Sequence, residues 1–229
     1  MTYVNRPDVY RNIHKALRKA LFDFSYATGR VDIESNETLR ALSRQFDELL
    51  YLLDMHGHKE DTYSLPLLES KRPGCTRHNE EEHEQIHLEL SGLKSQMNAL
   101  LDAEAETRKD CYWNFYYSIN SFISGYLMHM QMEEIVMTNL FYELCNDEEL
   151  KGMTAAILSS LAPNDSILIA RYMIPSLEPA ERIQMMSQIQ RTAPAPAFTA
   201  LLKMSEEILS ENEYKQLHDN LNQVVTVRV

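Results

Sequence analysis

Between Gly74 and Ala162 the chain contains no proline, and the glycines within that span, Gly92, Gly125 and Gly152, stand alone. Proline and glycine are the strongest helix interrupters, so this stretch can run as long helices. Apolar spacing predicts a first helix from near Asp8, behind Pro7, to about Gly29, with Ile13, Leu17, Leu21 and Phe24 on one face. A second begins around Ser35 or Asn36, carries Leu39, Leu42, Phe46, Leu49, Leu50 and Leu53, and is expected to end near Glu60 to Tyr63, before Pro66. Asn79 reads as the cap of a third, whose first turn, Glu80 to Glu82, places negative charge at the positive end of the helix dipole; it should reach about Ala103. The fourth runs from about Thr107 to Cys145 and is rich in aromatic residues. Long helices joined by short loops pack naturally as an up-down-up-down four-helix bundle, so the expected class is all-α.

From about Asp147 the pattern changes. Pro163, Pro175, Pro179, Pro194 and Pro196 cut the chain into additional short C-terminal helices, with starts at Glu178-Pro179 and Ala195-Pro196. The expected organisation is a bundle over residues 1–146 and a helical extension over 147–229. The final VVTVRV is β-prone but has no evident strand to pair with, and is expected to be a disordered or partner-bound tail.

A hydrophobic fraction of 44% over 229 residues suffices for one generous core with an appendage. The formal charge of −12 opposes nucleic acid or an anionic membrane as the main partner, since both would repel it. The opening residues have charges where a signal peptide needs an apolar core, and no later run reaches the roughly 20 apolar residues of a spanning helix. A cytoplasmic location is therefore expected. Cys75, Cys111 and Cys145 are odd in number and lack a C-x-x-C pair, which fits thiols rather than a disulfide framework.

Residues 83–87, HEQIH, match the H-E-x-x-H pattern of zinc proteases. The metzincin extension is absent, since LELSGLK follows His87 and offers no third histidine. What survives is that His83 and His87 sit one helical turn apart. The same spacing recurs elsewhere: Glu60 lies four residues after His56, and Glu133 four after His129. At about 3.6 residues per turn, such pairs share a face and converge on one point. His14 adds an imidazole from the first helix, so every predicted bundle helix contributes. Five imidazoles and two carboxylates are too many donors for one tetrahedral zinc but suit two iron ions bridged by carboxylates. Ferritin-like bundles use Glu-x-x-His on two helices, and the residue three before His129 is Tyr126. An imidazole-rich site is the better reading.

In this order and on these helices, His14, HGHKE, HEQIH and HMQME resemble the hemerythrins and the wider hemerythrin-like HHE cation-binding group, over roughly residues 8 to 145. The resemblance implies two non-haem irons joined by an oxygen bridge. By that likeness His83, His87 and His129 would hold one iron and His14 and His56 the other, with Glu60 and Glu133 bridging. The open position would lie on the two-histidine iron, nearest His14 and His56. In the oxygen-carrying members the last carboxylate is an Asp five residues after its histidine; here Glu134 stands there. Helix geometry favours Glu133, and a local bulge would bring in Glu134 instead. His58 competes with His56 but would leave Glu60 on another face, while His78 and His218 match no position. Tyr126, one turn before His129, reads as core packing or as a hydroxyl aimed at the site, and Met128, Met130, Met132 and Met137 as core filler.

Such a centre serves three classes of function. One is reversible binding or sensing of dioxygen or another small diatomic ligand, favoured here because no general acid, nucleophile or substrate pocket stands out beside the donors. Another is a redox enzyme acting on nitric oxide or peroxide, or in iron handling. The third is an interaction protein with a structural or iron-sensing site, the C-terminal helices being candidates for self-association.

Overall fold

The computed structural model describes residues 6–226, of which 223–226 by backbone alone. It is all-helical, with 87% helix and no strand among the described residues. The helices are α1 (Arg11–Gly29), α2 (Asn36–Lys59), α3 (Leu65–Lys71), α4 (Arg77–Asp102), α5 (Ala105–Met132), α6 (Thr138–Leu144), α7 (Asp147–Ser159), α8 (Pro163–Ser176), α9 (Pro179–Thr192), α10 (Ala195–Ile208) and α11 (Glu211–Thr226). Of VVTVRV, residues 224–226 close α11, and 227–229 lie outside the described residues.

Local chemistry explains the ends. Ser35 caps α2, its Oγ accepting from the Thr38 N–H at 3.4 Å, and Asn146 caps α7 in a reciprocal pairing with Glu149. Pro163, Pro179 and Pro196 stand in first turns, where a missing N–H costs nothing. Pro175, expected to cut the chain, instead sits inside the last turn of α8.

Two compact units emerge. One takes the residues up to Arg11 together with Ala20–Ser160; the other takes Asn12–Lys19 and Leu161 onward. Helix α7, beyond the boundary expected at residue 146, packs with the first unit through Leu150 and Met153, against Tyr10, Leu68 and Phe141.

In the first unit the rings of Phe24, Phe46 and Phe115 join α1, α2 and α5, with Phe46 5.2 Å from Phe24 and 5.3 Å from Phe115. Helix α4 lies along α2 and α5 and buries Leu90, Leu93, Met97 and Leu100, a seam of alternating three- and four-residue steps. In the second unit α8 to α11 enclose Ile174, Met186, Leu217 and Leu221. Buried Arg182 donates to the carbonyls of Ile174 and Leu177, at the end of α8, and to Glu213.

The second and fifth helices depart most from expectation. Neither ends where its regular part does: each passes through one wide π-helical turn, Glu60–Ser64 and Glu133–Met137, and resumes as α3 and α6. The Leu65 N–H bonds the carbonyl of Glu60, and the Thr138 N–H that of Glu133, five residues back in both cases. Pro66 therefore does not stop the chain. The widened turn relieves its clash with the carbonyl four residues before it, and it falls in the first turn of α3.

Candidate metal centre

Buried positions recur every four residues through these turns: His56, Glu60, Ser64 and Leu68 on one strand of the pattern, and His129, Glu133, Met137, Phe141 and Cys145 on the other. In a regular α-helix each such step drifts by about 40°, so several in a row would carry the last residue off the core face. The wide turns absorb that drift. They leave a carboxylate at the first position of each turn, fully enclosed: Glu60 is 3% exposed and Glu133 0%.

The two carboxylates then meet imidazoles from three helices. Glu60 faces a different histidine with each oxygen, Oε1 at 3.4 Å from His56 Nε2 and Oε2 at 3.4 Å from His83 Nε2. Glu133 Oε1 lies 3.4 Å from His129 Nε2 and 3.7 Å from His83 Nε2. One donor atom from each of Glu60, His83, His129 and Glu133 lies within 4.8 Å of all the others.

A further layer orients the rings. His83 Nδ1 is 2.6 Å from Asp61 Oδ1, and His129 Nδ1 is 3.0 Å from Glu82 Oε2. A carboxylate only accepts, so each Nδ1 carries the hydrogen and each Nε2 is turned toward Glu60 and Glu133. Asn79 joins this layer. Expected as a helix cap, it instead lies buried inside α4, which starts at Arg77 behind Thr76, and its amide donates to Glu133 Oε1 at 3.4 Å.

Two buried carboxylates are costly without a compensating cation. Burial alone would lower the His83 pKa, but hydrogen bonding to the carboxylates of Asp61, Glu133 and Glu60, with the charge of Glu60, outweighs it and pushes the value up to about 12. A proton on His83 is thus the cation this cluster gathers for itself. Tyr10 and Tyr126 flank the same charges; burial first, then Glu60 and Glu133, raises both phenols well above their ordinary value, so both hydroxyls stay neutral.

The arrangement fits a metal. Separations of 3.4 Å exceed an ordinary hydrogen bond. They match the roughly 3.0–3.4 Å between two donors that share one first-row ion at about 2.1 Å each. His83 Nε2, moreover, is buried with no hydrogen-bond partner.

Not every expected donor joins this group. His87, paired with His83 in the sequence reading, has a side chain 52% exposed, with Nδ1 3.4 Å from Asp54 Oδ1. The phase of α4 is the reason: His83, Leu90 and Met97 repeat every seven residues, as do Ile86, Leu93 and Leu100, and His87 falls one position past this seam. Glu134 is only partly buried where Glu133 is enclosed, so the bulge in α5 selects Glu133. His14 is fully buried on α1, within the segment 12–19 that groups with the second unit. His58, His78 and His218 are exposed. Of the methionines, Met130 and Met137 are core, and Met128 is exposed.

Sequence reasoning missed Tyr10, Asp61, Asn79 and Glu82. Tyr10 and Asn79 each lie four residues before a site histidine, a signal of the same kind that identified the donors.

The family model described as the hemerythrin HHE cation binding domain matches residues 6–141. The chain belongs to this family. No curated protein and no solved structure matches it. The match ends near the close of α6 and contains all the buried histidines and glutamates of this hemerythrin-like site.

Proposed function

We propose that this hemerythrin-family chain binds two iron ions inside a four-helix bundle and takes up dioxygen or a similar small ligand there, for carriage or sensing. Glu60 carries the proposal: its two oxygens address two different imidazoles, the disposition of a carboxylate that bridges two ions. His83, His129 and Glu133 would hold one ion, and His56 with the two carboxylates the other, to which the family resemblance adds His14. His87 is not in the proposed set. Bound iron would supply the redox change and the open coordination position that such a ligand needs.

The chain's own groups do the rest. Asp61 and Glu82 fix the tautomers that present Nε2, and Asn79 steadies Glu133. Burial of the carboxylates excludes bulk water and strengthens every charge interaction within. The neutral Tyr126 hydroxyl is available as a donor to a ligand at His129, whose ring centroid is 5.6 Å from its own. Three free thiols favour a reducing compartment, in keeping with a cytoplasmic protein. No single helix among the described residues is long and apolar enough to cross a membrane.

Elemental analysis of freshly purified protein should return two irons per chain. Reduction without oxygen followed by exposure to it should give a spectrum that reverses under vacuum. Prompt irreversible oxidation would favour the redox-enzyme class, and protein purified without iron would favour an interaction role.

A further inference from the structure

Glu60, Glu133, His56, His83 and His129 are each less than a tenth exposed, so a metal ion reaches them only when part of the first unit moves. The helices that carry them, α2, α4 and α5, are long and bonded along their own backbones. Residues 6–10 are different: they precede α1, belong to no helix, and cross the end of this unit where α3, α6 and α7 meet. Tyr10 closes that end. It is 2% exposed and packs with Leu65, Leu68, Met137 and Phe141, and the charges of Glu60 and Glu133 both reach its hydroxyl.

Side chains fasten this segment. The Arg6 guanidinium donates to the carbonyls of Tyr142 at 2.6 Å and Cys145 at 2.7 Å and to Asp147 Oδ1 at 2.7 Å, and it lies 4.7 Å over the Tyr142 ring. The two carbonyls stand at the end of α6, where a helix leaves acceptors without N–H donors. The Tyr142 hydroxyl returns a bond to the Pro7 carbonyl at 3.2 Å, and Asp8 accepts from the N–H groups of Tyr10 and Arg11. One guanidinium thus ties residues 6–10 to α6 and to the start of α7.

We propose that residues 6–10 are a strap closing the carboxylate end of the centre, and that release of Arg6 is the step by which metal ions enter and leave. This rests on the metal-binding reading above and adds how the site is loaded. Arg6 is a positioning residue: its bonds go to α6 and α7, and it acts on the centre through Tyr10, four residues along. An irregular segment held by side chains opens at lower cost than a packed helix, so local opening admits an ion while the bundle stays folded. A gate of this kind changes uptake and release together and leaves their ratio, the affinity, almost unaltered.

The test loads ferrous iron into the metal-free full chain without oxygen, and follows uptake and then release to excess bipyridine. Arg6→Ala should speed both by about tenfold or more and leave the dissociation constant within about threefold of the parent's. Arg6→Lys should fall between, because an ammonium cannot span the acceptors that the guanidinium fork reaches. Tyr10→Ala should match Arg6→Ala, whereas Tyr10→Phe, which keeps the ring in place, should stay near the parent. Phe46→Ala, which weakens the aromatic end and leaves the strap fastened, should not speed exchange. Unchanged rates in Arg6→Ala overturn the strap, as does faster release with unchanged uptake, which would make Arg6 a support of the bound state. Acceleration by Phe46→Ala equal to that by Arg6→Ala overturns it too, since exchange would then run through global unfolding. Should Arg6→Ala fail to fold, Arg6→Lys decides by the same comparison. A parent chain that takes up no iron sinks the metal-binding reading itself, before any variant is compared, and leaves the strap nothing to gate.

Discussion

At one end of the first unit Phe24, Phe46 and Phe115 meet ring to ring, each fully buried and none carrying a polar atom. At the other end Glu60 and Glu133 are just as deeply enclosed, yet carry carboxylates among imidazoles and phenols. The aromatic end is stable by removing apolar surface from water, which requires nothing beyond the chain. The carboxylate end is tolerable only with a cation, a proton on His83 or a metal between the donors. One set of helices therefore combines a self-sufficient half with a conditional one. Spacing reflects this division, three-and-four steps along Leu90, Leu93, Met97 and Leu100, and steps of four through the two wide turns.

The contrast breaks most sharply if the carboxylates are removed. Replacing Glu60 and Glu133 together by alanine should abolish iron retention, measured per chain on purified protein, while the helical circular dichroism of the aromatic end persists. Two irons retained in that variant would refute the bridging role outright. Phe46→Ala is the mirror experiment: it should lower stability by about 3–5 kcal/mol in denaturant titrations, and by the same amount with or without metal. A loss confined to the metal-loaded form would mean the two ends are coupled. Smaller is the effect of Asp61→Asn, which leaves the donors in place but loosens the His83 ring; metal affinity should fall by about 10–100-fold in a chelator competition.

Acidity probes the same division more gently, by at most about 1.4 kcal/mol per pH unit for a single proton. Burial opposes charge on His83, yet Asp61, Glu133 and Glu60 raise its folded pKa to about 12, far above the ordinary 6.5 of an unfolded chain. The stability this proton contributes is fully present below about pH 6.5 and is lost as pH rises from there toward about 12. Metal-free protein should accordingly melt at lower temperature as pH is raised from 6.5 to 9. Metal binding displaces that proton, so the loaded form should hold its metal more tightly over the same range. Parallel pH trends in the two forms would remove His83 from the competition between proton and metal.

Much of the site was legible as spacing. His56 with Glu60 and His129 with Glu133 declared themselves by a four-residue interval, and His83 by its place on the same helix as the α4 seam. His87 shared the interval but not the phase. Whether a histidine points inward depends on which stripe of its helix the neighbours bury, and that stripe was already written in the seven-residue repeat from His83 to Met97. Asn79 misled for a different reason, because a residue type favoured at helix starts is also a good donor to a buried carboxylate, and its partner, Glu133, is distant in sequence. The wide turn at Glu133–Met137 has no proline to announce it. Its only trace is the run of four-residue steps that a regular helix could not keep on one face.

The amino-acid order by itself determined that this chain is helical, where most helices begin, and which residue types could hold a cation, because capping, proline placement and periodicity act over a few neighbouring residues. Only the tertiary structure decided which of those groups meet, how the wide turns steer Glu60 and Glu133 inward, and that His87 faces Asp54. Those outcomes depend on the rotation of each helix about its own axis, and packing against the other helices sets that rotation.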